Sequence, residues 1–583
     1  MGHVFSSSAF HLPAGVVDPP DRDAAPSPLG LTHYSGVAAF GLLRHAAQSV
    51  PHREAVRYRD AVWNYEQLNH DAVRCATMLQ RLGVEPGDRV GLLLPNVPEY
   101  LIAVNGIWRA GGIAVALSPL MVAEEVRDMI EATDCKIVIS LDLLSSLLPP
   151  EQDSGCRPLY VSISRYLSTV EQLGYAWMRR RQIGRWSMPG VGETDSFWDA
   201  IEQTRREWHS PAIDPRRDAA YILPTGGTTG HPKAVTLSHE NLVANAWQQA
   251  QWTRGSFGDE TMLAVLPFFH SYGLSAIAMG GAATGASLIL HHRFQTSQVI
   301  RLIEDHRPTV FHAVPAMLVA INERLRMRDA DLTSIKWVIS GGAPLDVAVA
   351  QEFAGHSGAA VVEGYGLSEA SPVTHVGSLF HEPDYGNIGW PLPETACRLV
   401  DLSTGTDIVT TPGGSSDVGD HNVGELWIRG PQVMLGYWND PVATAETIRD
   451  GWLRTGDLAT RDEQGRYKIV GRHKDLIITS GFNVYPSEVE AVLCEAEDVA
   501  EAAVVGVPDT LRGEIVKAFV VLRPGATWDE AALRRFSGNH MAKHKVPQVF
   551  EHCRDGLPKN FLGKIIRRHL RRPAEISSPE TRS

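Results

Sequence analysis

Hydrophobic and polar positions alternate in a βαβ rhythm along the first large part of the chain. Between Leu31 and about Ser140, the apolar runs RVGLLLPN and IAVALSP flank the helical pattern PEYLIAVNGIWRAGG. Fully apolar strands between helices are typical of parallel sheets that are covered on both faces. A second block with this rhythm runs from Ala219 to about Val400, and a strand region rich in Gly, Pro and Ser follows up to Gly471. The pattern predicts an α/β fold.

One stretch has the apolar character of a membrane span. Thr261 to Leu290 contains no Asp, Glu, Lys or Arg. However, Gly, Ala and Ser are frequent in it, and it includes the segment LPFFHSYG. We therefore expect a buried strand, loop, helix and strand of an α/β core rather than a helix across a bilayer.

The segment 149–211 breaks the βαβ rhythm. It contains YLSTVEQLGYAWMRRRQIGRW, in which a run of aromatic residues ends in clustered arginines. We interpret it as an inserted surface subdomain with a solvated helix. A membrane-touching amphipathic element is the alternative, because basic and aromatic residues suit anionic interfaces.

A short charged segment, Arg472 to Asp475, ends the first domain. After it, Ser487 and Glu490 have the spacing of a capping box, and apolar strands such as KAFVVL alternate with helices to about Leu570. The predicted division is a flexible leader 1–30, an N-terminal domain 31–471 that includes the insert 149–211, a hinge 472–475, a C-terminal domain 476–572 and a tail 573–583.

The composition narrows the class of protein. A chain of 583 residues exceeds what one core usually organises, so two or more domains are expected. A net charge of -13 argues against a nucleic-acid surface. The six cysteines form no CxxC pair, so neither a zinc site nor a disulfide framework is expected. The first residues lack the features of a signal peptide, and we predict a cytoplasmic protein.

The strongest local motif is YILPTGGTTGHPKAVTLSHENL. Thr225, Gly226, Gly227, Thr228, Thr229 and Gly230 precede Lys233 in it. Glycines permit close backbone approach, and successive N–H groups with nearby hydroxyls and an ammonium form a cradle for phosphate oxygens. The motif does not match GxxxxGK[ST], which disfavours a Walker-type nucleotidase.

Several motifs in the same order resemble the adenylate-forming superfamily, which contains acyl- and aryl-CoA synthetases, luciferases and adenylation domains. Within it, the chain is most similar to the bacterial medium- and long-chain fatty acyl-CoA synthetases. The motifs are TGGTTGHPK, LPFFHSYGL, GGAPL, EGYGLSE, WLRTGD, GRHKDLI, SGFNVYPSEVE and PKNFLGKIIRR. The resemblance implies a large N-terminal domain of βα-layered parallel sheets plus a small β-barrel-like part, with a small mobile α+β C-terminal domain.

The resemblance also implies a reaction and its cofactors: ATP and Mg²⁺ for adenylation of a carboxylic acid, and CoA for thioester formation. Lys564 resembles the mobile catalytic lysine, and Glu369 matches the glutamate that binds Mg²⁺. These two, with Thr225 and His270, are the predicted catalytic residues. A lysine ammonium suits the bridge between carboxylate and α-phosphate, and a hard cation suits a single carboxylate with waters.

The same resemblance assigns the nucleotide site. Asp457 matches the residue that accepts both ribose hydroxyls, Arg472 resembles its partner, and Tyr365 is expected to lie against the adenine. Ser368 stands where a threonine is commoner. The full predicted ATP and AMP set is Thr225, Gly226, Gly227, Thr228, Thr229, Gly230, Lys233, Gly342, Ala343, Pro344, Glu363, Gly364, Tyr365, Gly366, Ser368, Asp457, Arg472 and Lys564.

The acyl and CoA sites are implied in the same way. The predicted acyl pocket contains His270, Ser271, Gly341 and Gly364. Two half-reactions at one carboxyl carbon imply rotation of the C-terminal domain, with Lys474 at the hinge position. The turn Ser480, Gly481 and Phe482 is then expected to approach CoA.

Three rivals share parts of this pattern. An acyl-AMP ligase would load the phosphopantetheine of an acyl carrier protein, and a luciferase-like oxidoreductase would share the adenylation step. A non-catalytic nucleotide-binding relative is disfavoured because Lys233, Glu369, Asp457, Arg472 and Lys564 occur together. The sequence leaves open the chain length of the acid, a homodimer and peripheral membrane association.

Overall fold

A computed structural model describes residues 32–184, 196–204, 208–225, 233–255, 257–381, 384–408, 422–559 and 564–571. The leader 1–30, the tail 573–583 and most of the Gly/Thr motif lie outside these ranges.

The described residues form α-helices and β-strands that alternate along most of the chain. In chain order, the helices α1 to α16 span Gly41–Ser49, Tyr65–Arg81, Pro98–Ala110, Ala123–Thr133, Glu151–Ser154, Thr169–Ile183, Phe197–Glu202, His239–Thr253, Gly280–Thr284, Thr296–His306, Pro315–Leu325, Val347–Ser357, Pro441–Thr447, Pro486–Cys494, Glu530–His540 and Arg567–Leu570. The strands β1 to β26 span Glu54–Tyr58, Ala61–Asn64, Arg89–Leu93, Ile113–Ala116, Cys135–Leu141, Arg157–Val161, Ala219–Thr225, Lys233–Ser238, Thr261–Ala264, Ser287–Leu290, Val310–Ala313, Trp337–Ser340, Ala360–Gly366, Val373–Val376, Trp390–Pro391, Ala396–Val400, Gly424–Arg429, Gly436–Tyr437, Ile448–Arg449, Trp452–Arg461, Tyr467–Arg472, Ile477–Thr479, Phe482–Val484, Val499–Asp509, Gly513–Leu522 and Val549–His552.

Two large sheets of mainly parallel strands form the N-terminal part. One has the order β15-β14-β13-β12-β11-β9-β10-β1-β2, and its central strands from β13 to β1 are parallel. The other has the order β18-β8-β7-β4-β3-β5-β6, with β7 to β6 parallel. An antiparallel sheet of β16, β17, β20, β19 and β21 follows. In open parallel sheets, ligands bind outside the carboxyl ends of the strands.

Helix α3 illustrates why the sequence forms this core. Pro98 begins the helix, where its missing N–H costs nothing, and Gly111 with φ 85° ends it. All of its side chains are buried, including Glu99 and Arg109. An all-round buried helix requires sheets or helices on every side, as the predicted layered α/β arrangement provides.

The uncharged stretch is buried within the fold, as predicted. It contains β9, a π-helix over Gly273–Met279, α9 and β10. No helix in the described part of the chain combines the length and apolarity needed to cross a membrane.

The segment 149–211 differs from the predicted surface insert. Its strand β6 pairs with β5 in the seven-stranded sheet, and Phe197 and Ile201 of α7 lie in the main core. Among the described elements of the segment, α6 has mostly exposed side chains, as a surface element would. The aromatic and arginine content is therefore typical of α6 and not of the whole segment, because β6 extends the sheet within it.

The C-terminal part has its own sheet and its own hydrophobic core. Its strands have the order β23-β22-β25-β24, with β26 beside β25, and α14 and α15 complete the layer. The predicted α/β fold class, with a large parallel-sheet part and a smaller C-terminal part, is confirmed. The boundaries given above remain predictions.

The predicted capping box at Ser487 and Glu490 is wrong. Helix α14 begins at Pro486, and its N-cap Tyr485 makes no side-chain cap. The Ser487 hydroxyl donates to the Val470 carbonyl of β21, and Glu490 pairs with Arg567 at 2.7 Å. Both side chains therefore tie the helix to other elements instead of capping it.

Candidate active site

A cavity of about 1600 Å³ lies at the carboxyl ends of the parallel strands and extends to the C-terminal part. It brings together every described residue predicted for catalysis, for the nucleotide, for the acyl pocket and for the hinge. These residues are Thr225, Lys233, His270, Ser271, Gly341, Gly342, Ala343, Pro344, Glu363, Gly364, Tyr365, Gly366, Ser368, Glu369, Asp457, Arg472, Lys474 and Lys564.

The two ends of the Gly/Thr motif meet at the cavity. Thr225 ends β7 and Lys233 begins the neighbouring antiparallel strand β8, where the two residues are register partners. The Thr225 hydroxyl donates to the Lys233 carbonyl at 3.1 Å. Residues 226–232, which include Gly226, Gly227, Thr228, Thr229 and Gly230, lie outside the described residues. Both described ends of the motif, Thr225 and Lys233, therefore line the cavity.

Tyr437, which was not among the predicted site residues, contacts both Glu369 and Lys233. Tyr437 of β18 donates its hydroxyl to the Glu369 carboxylate at 2.9 Å. The ammonium of Lys233 lies 4.7 Å from the centre of the Tyr437 ring. The tyrosine therefore holds one carboxylate oxygen and the lysine in one group, while Glu369 faces the cavity. The sequence signal that could have indicated Tyr437 is the motif LGYW, in which Gly436 adopts φ 149°.

Asp457 is the centre of a second polar group. Tyr365 donates its hydroxyl to Oδ2 of Asp457 at 2.6 Å, and Nε of Arg472 lies 2.8 Å from Oδ1. Burial, followed by the negative charge of Asp457, raises the pKa of Tyr365 well above its usual value. A carboxylate offers about four acceptor positions, so each oxygen keeps one for a ligand.

Glu425 supports the turn that carries Asp457. It is 4% exposed, and its carboxylate accepts from the backbone N–H of Gly456 at 3.1 Å and from the Trp427 indole at 2.9 Å. Arg454 pairs with it at 3.3 Å. Glu425 was not predicted as a site residue because it lies on β17, outside the RTGD motif that it supports.

Lys564 faces this group from the C-terminal part. Burial, followed by the positive charges of Arg472, Lys474 and Arg567, lowers the pKa of Lys564 to about 8, while the negative charge of Asp457 opposes them. A buried cation among cations favours an anionic ligand, since an added negative charge relieves both the repulsion and part of the desolvation.

The strands β12 and β13 form one wall of the cavity at their carboxyl ends. Gly341 leaves no room for a larger residue, because a Cβ there would lie 3.0 Å from the Tyr272 ring and 3.2 Å from the Gly364 carbonyl. Burial raises the pKa of Glu363 to about 7, and its carboxyl accepts from the Leu345 N–H at 3.4 Å. The flat glycine surface suits an aromatic base.

His270 is a neutral residue of this wall at pH 7. Burial lowers its pKa to about 4, and Nδ1 accepts from the Tyr272 N–H at 3.3 Å. In the neutral ring, Nε2 therefore carries the proton and is a donor. The adjacent Ser271 hydroxyl lies 3.1 Å from the Ser368 hydroxyl.

An apolar branch of the cavity runs back along the strands. Trp337 and Ile339 of β12, and Gly341 directly after the strand, alternate with buried positions and line it. Ala276, Gly280 and Thr284 line it at helical spacing, and Trp252 and Met262 also contribute. At its far end, the buried Glu260 pairs with the half-exposed Lys336 at 3.0 Å. We call this branch the acyl channel after the predicted acyl pocket, whose role remains a prediction.

The segment predicted as the hinge contains a short 3-10 helix, His473–Asp475, whose residues line the cavity. Burial, followed by the charge of Arg472, lowers the pKa of Lys474. Arg571 pairs with Asp475 at 3.0 Å, which links the end of the described chain to this segment.

The predicted CoA turn lies elsewhere. Among the described residues, Ser480, Gly481 and Phe482 are not part of the cavity wall. Gly481 adopts φ 81°, a Cβ there would meet open space, and the Phe482 ring stacks on His544 at 4.7 Å. The turn is therefore exposed, and its predicted role remains a prediction.

Sequence comparisons match this arrangement. Residues 43–438 match the family model of the AMP-binding enzyme, and residues 488–564 match that of the AMP-binding enzyme C-terminal domain. The long-chain-fatty-acid–CoA ligase of Bacillus subtilis (strain 168) is 37% identical over 533 residues, which cover 91% of this chain and 93% of the relative. The feruloyl-CoA synthase of Amycolatopsis sp. is 33% identical over 527 residues, covering 90% and 97%.

The structural comparison agrees with the sequence matches. The crystal structure of ATP-bound MatB from Rhodopseudomonas palustris is 29% identical and superimposes with a TM-score of 0.78, covering 92% of this chain and 98% of that one. With both family models matched in order and a cavity between the parts that they cover, the chain belongs to the AMP-binding enzyme family.

Proposed function

We propose that this protein is an ATP-dependent, AMP-forming acid–thiol ligase that activates a fatty acid and transfers it to CoA. One observation carries the proposal: Lys564 of the C-terminal part, the Asp457 and Glu369 groups, and the acyl channel all face one cavity. Such a cavity suits a nucleotide, an aliphatic acid and a cation that acts between them.

In the first step, a carboxylate oxygen of the acid attacks the α-phosphorus of ATP. The new acyl O–P bond forms as the bond to the β-phosphate oxygen breaks, and pyrophosphate leaves. Negative charge spreads over the phosphoryl oxygens as the bonds exchange, so cations and N–H donors accelerate the step. Lys564 would bridge the carboxylate and the α-phosphate, and Lys233 with the Gly/Thr motif would hold the leaving phosphates.

The nucleoside would be held by the groups that are already ordered. Asp457 would accept the ribose hydroxyls on the acceptor positions that Tyr365 and Arg472 leave open. The adenine would lie between the Tyr365 ring and the Gly342–Pro344 backbone. Ordering these side chains before the ligand arrives reduces the entropy that binding costs.

The residues present fit a Mg²⁺ ion. Mg²⁺ usually takes one or two carboxylates and completes its shell with phosphate oxygens and waters. Glu369 presents such a carboxylate to the cavity, and the described residues hold no group of His, Cys, Asp and Glu dense enough for an all-protein metal site. When bound, the ion would neutralise phosphate charge, and Tyr437 would orient Glu369 toward it.

The acyl channel favours an unbranched aliphatic acid. From Gly341 to Trp337, a strand spans about 13 Å at ~3.3 Å per residue. That length holds roughly ten methylene groups of an extended chain whose C–C bonds are ~1.5 Å long. Burial of one methylene contributes about 0.8 kcal/mol, so each added carbon should tighten binding roughly fourfold until the channel is full.

In the second step, the CoA sulfur attacks the acyl carbonyl carbon. The C–S bond forms, the bond to the AMP oxygen breaks, and the thiol proton passes to solvent. Lys564 would face the carboxyl group during adenylation, and rotation at residues 472–475 would then remove it and present the turn of Ser480, Gly481 and Phe482 instead.

Pyrophosphate release with saturated acids of graded chain length, with and without CoA, tests the proposed function. We expect about one equivalent per enzyme without CoA, and continuous release with thioester formation when CoA is added. Lys564→Ala should abolish release, whereas Lys543→Ala, at an exposed lysine of the same part of the chain, should not. Turnover only with a phosphopantetheine carrier protein would identify an acyl-AMP ligase instead, and release with aromatic acids alone would contradict the fatty-acid assignment.

A further inference from the structure

Helix α6 exposes a stripe of apolar side chains that the proposed function does not use. Val170 is 79% exposed, Leu173 71% and Trp177 57%. Their spacing of three and four residues places them on one face of the helix. We call these three residues the α6 stripe.

The opposite face attaches the helix to the protein. Tyr175 is 3% exposed and donates its hydroxyl to Asp142, and Arg179 lies 3.4 Å from the same carboxylate. At about 100° per residue, the three residues of the α6 stripe lie within roughly 40° of the direction opposite Tyr175. The stripe therefore points directly away from the contact that holds the helix in place.

Two arginines flank the stripe. Arg180 and Arg181 are exposed and lie on either side of it, and the Arg181 guanidinium lies 5.7 Å from the centre of the Trp177 ring. These two arginines give the face a positive charge, although the chain as a whole carries a net charge of -13. An apolar stripe with a tryptophan and flanking arginines complements the headgroup and acyl boundary of an anionic bilayer.

We propose that the α6 stripe, with Arg180 and Arg181, is a docking face for an anionic phospholipid surface. The bilayer would take the apolar side chains at the level of its headgroups, while the arginines contact lipid phosphates. None of these residues lines the cavity. The proposal therefore does not depend on the proposed function, and either can fail without the other.

Sedimentation of the full chain with vesicles tests the proposal. One set contains phosphatidylcholine alone, and the other contains equal parts of phosphatidylcholine and phosphatidylglycerol. We expect binding to the anionic set that weakens with added salt. Arg180→Gln combined with Arg181→Gln should weaken it about 30-fold, because each arginine near the surface contributes about 1 kcal/mol. Leu173→Ser combined with Trp177→Ser should weaken it tenfold or more.

Matched variants show whether the effect belongs to the stripe. Leu511→Ser and Arg217→Gln remove a 93% exposed apolar side chain and an 88% exposed arginine elsewhere, and should leave binding unchanged. Circular dichroism and adenylation of a soluble acid without vesicles show that each variant is folded. Equal binding to both vesicle sets, binding that survives both double variants, or a dimer that the stripe variants dissociate would each overturn the proposal.

Discussion

Asp457 receives two ordered partners before any nucleotide binds. One carboxylate oxygen, Oδ2, accepts from the Tyr365 hydroxyl, and the other, Oδ1, pairs with Arg472. These contacts fix the carboxylate in one orientation, so the proposed ribose would meet an acceptor that does not need to be reoriented. In the proposed site, the hydroxyl of Tyr365 is then a positioning group, and its ring remains the predicted adenine contact.

Replacement of Tyr365 by phenylalanine should raise the KM for ATP by about one to two orders of magnitude and change kcat little. The reason is the loss of a hydrogen bond to a charged group, which contributes about 1.5–3 kcal/mol. Steady-state kinetics with ATP as the varied substrate measures it, and Tyr385→Phe, outside the cavity wall, is the control. An unchanged KM would show that the hydroxyl does not position Asp457.

The pKa of Lys564, about 8, predicts a pH dependence. The charged ammonium exists below this pKa, and adenylation needs the cation. For the free enzyme, kcat/KM should therefore be constant below pH 8 and fall as the pH rises through it. In Lys564→Arg, the guanidinium stays charged, so the remaining activity should lose this fall. A fall at the same pH in Lys564→Arg would assign it to another group.

The motifs were sufficient to predict many residues that line the cavity, but not several of the contacts that support these residues. The positions of Lys564, Glu369 and Asp457 in the cavity wall agree with the expected site, although their roles remain predictions. Tyr437 and Glu425 were missed because each supports a residue that is distant in sequence. Ser487 and Glu490 fitted a local capping rule, but partners from β21 and α16 hold them instead.

At the scale of elements, the helical segment that begins at Gly273 forms one side of the acyl channel. Ala276, Gly280 and Thr284 follow each other at one-turn intervals, and their small side chains leave space for an aliphatic chain. A Cβ at Gly280 would lie 3.3 Å from the Ser275 carbonyl, so small adjustments accommodate it.

Gly280→Leu should shorten the acids that the enzyme accepts. The leucine side chain would occupy the channel partway along its length, so long-chain acids should lose tenfold or more in kcat/KM while short acids keep theirs. Pyrophosphate release across the acid series measures it. Gly355→Leu adds the same side chain in the open on α12 and should leave the profile unchanged. A uniform loss across all lengths would mean that Gly280 does not set the depth.

Elements were predictable where the hydrophobic pattern was unambiguous. The uncharged stretch was correctly predicted to be buried strands and helix. The segment 149–211 was harder, because β6 and α7 are short and adjoin an exposed helix whose composition dominates the segment. Pattern alone does not reveal that a short strand pairs at the edge of a sheet.

At the scale of the whole molecule, the C-terminal part contacts the rest through few elements. Tyr485 and Leu476 pack against Val423, Leu458 and Val470 in a small cluster of their own. The predicted hinge, residues 472–475, connects the two parts beside the cavity. A limited contact of this kind is compatible with domain rotation between half-reactions.

Lys474→Pro should separate the half-reactions. Proline restricts the backbone rotation at the hinge, so thioester formation should fall by roughly two orders of magnitude while adenylation keeps most of its rate. Single-turnover measurements of acyl-AMP and of thioester report the two steps. Lys474→Ala, which removes the ammonium alone, is the control and should affect both steps equally. Equal loss of both steps in Lys474→Pro would contradict the hinge assignment.

Direct detection of acyl-AMP is the most decisive test of the proposed reaction. Enzyme is mixed with ATP, Mg²⁺ and saturated fatty acids in the absence of CoA, and the quenched mixture is analysed by mass spectrometry. The account predicts about one acyl-AMP per enzyme with the native chain and none with Lys564→Ala, which should still bind ATP. Absence of acyl-AMP with the native chain, or equal amounts from Lys564→Ala, would contradict the claim that a lysine from the C-terminal part completes the site.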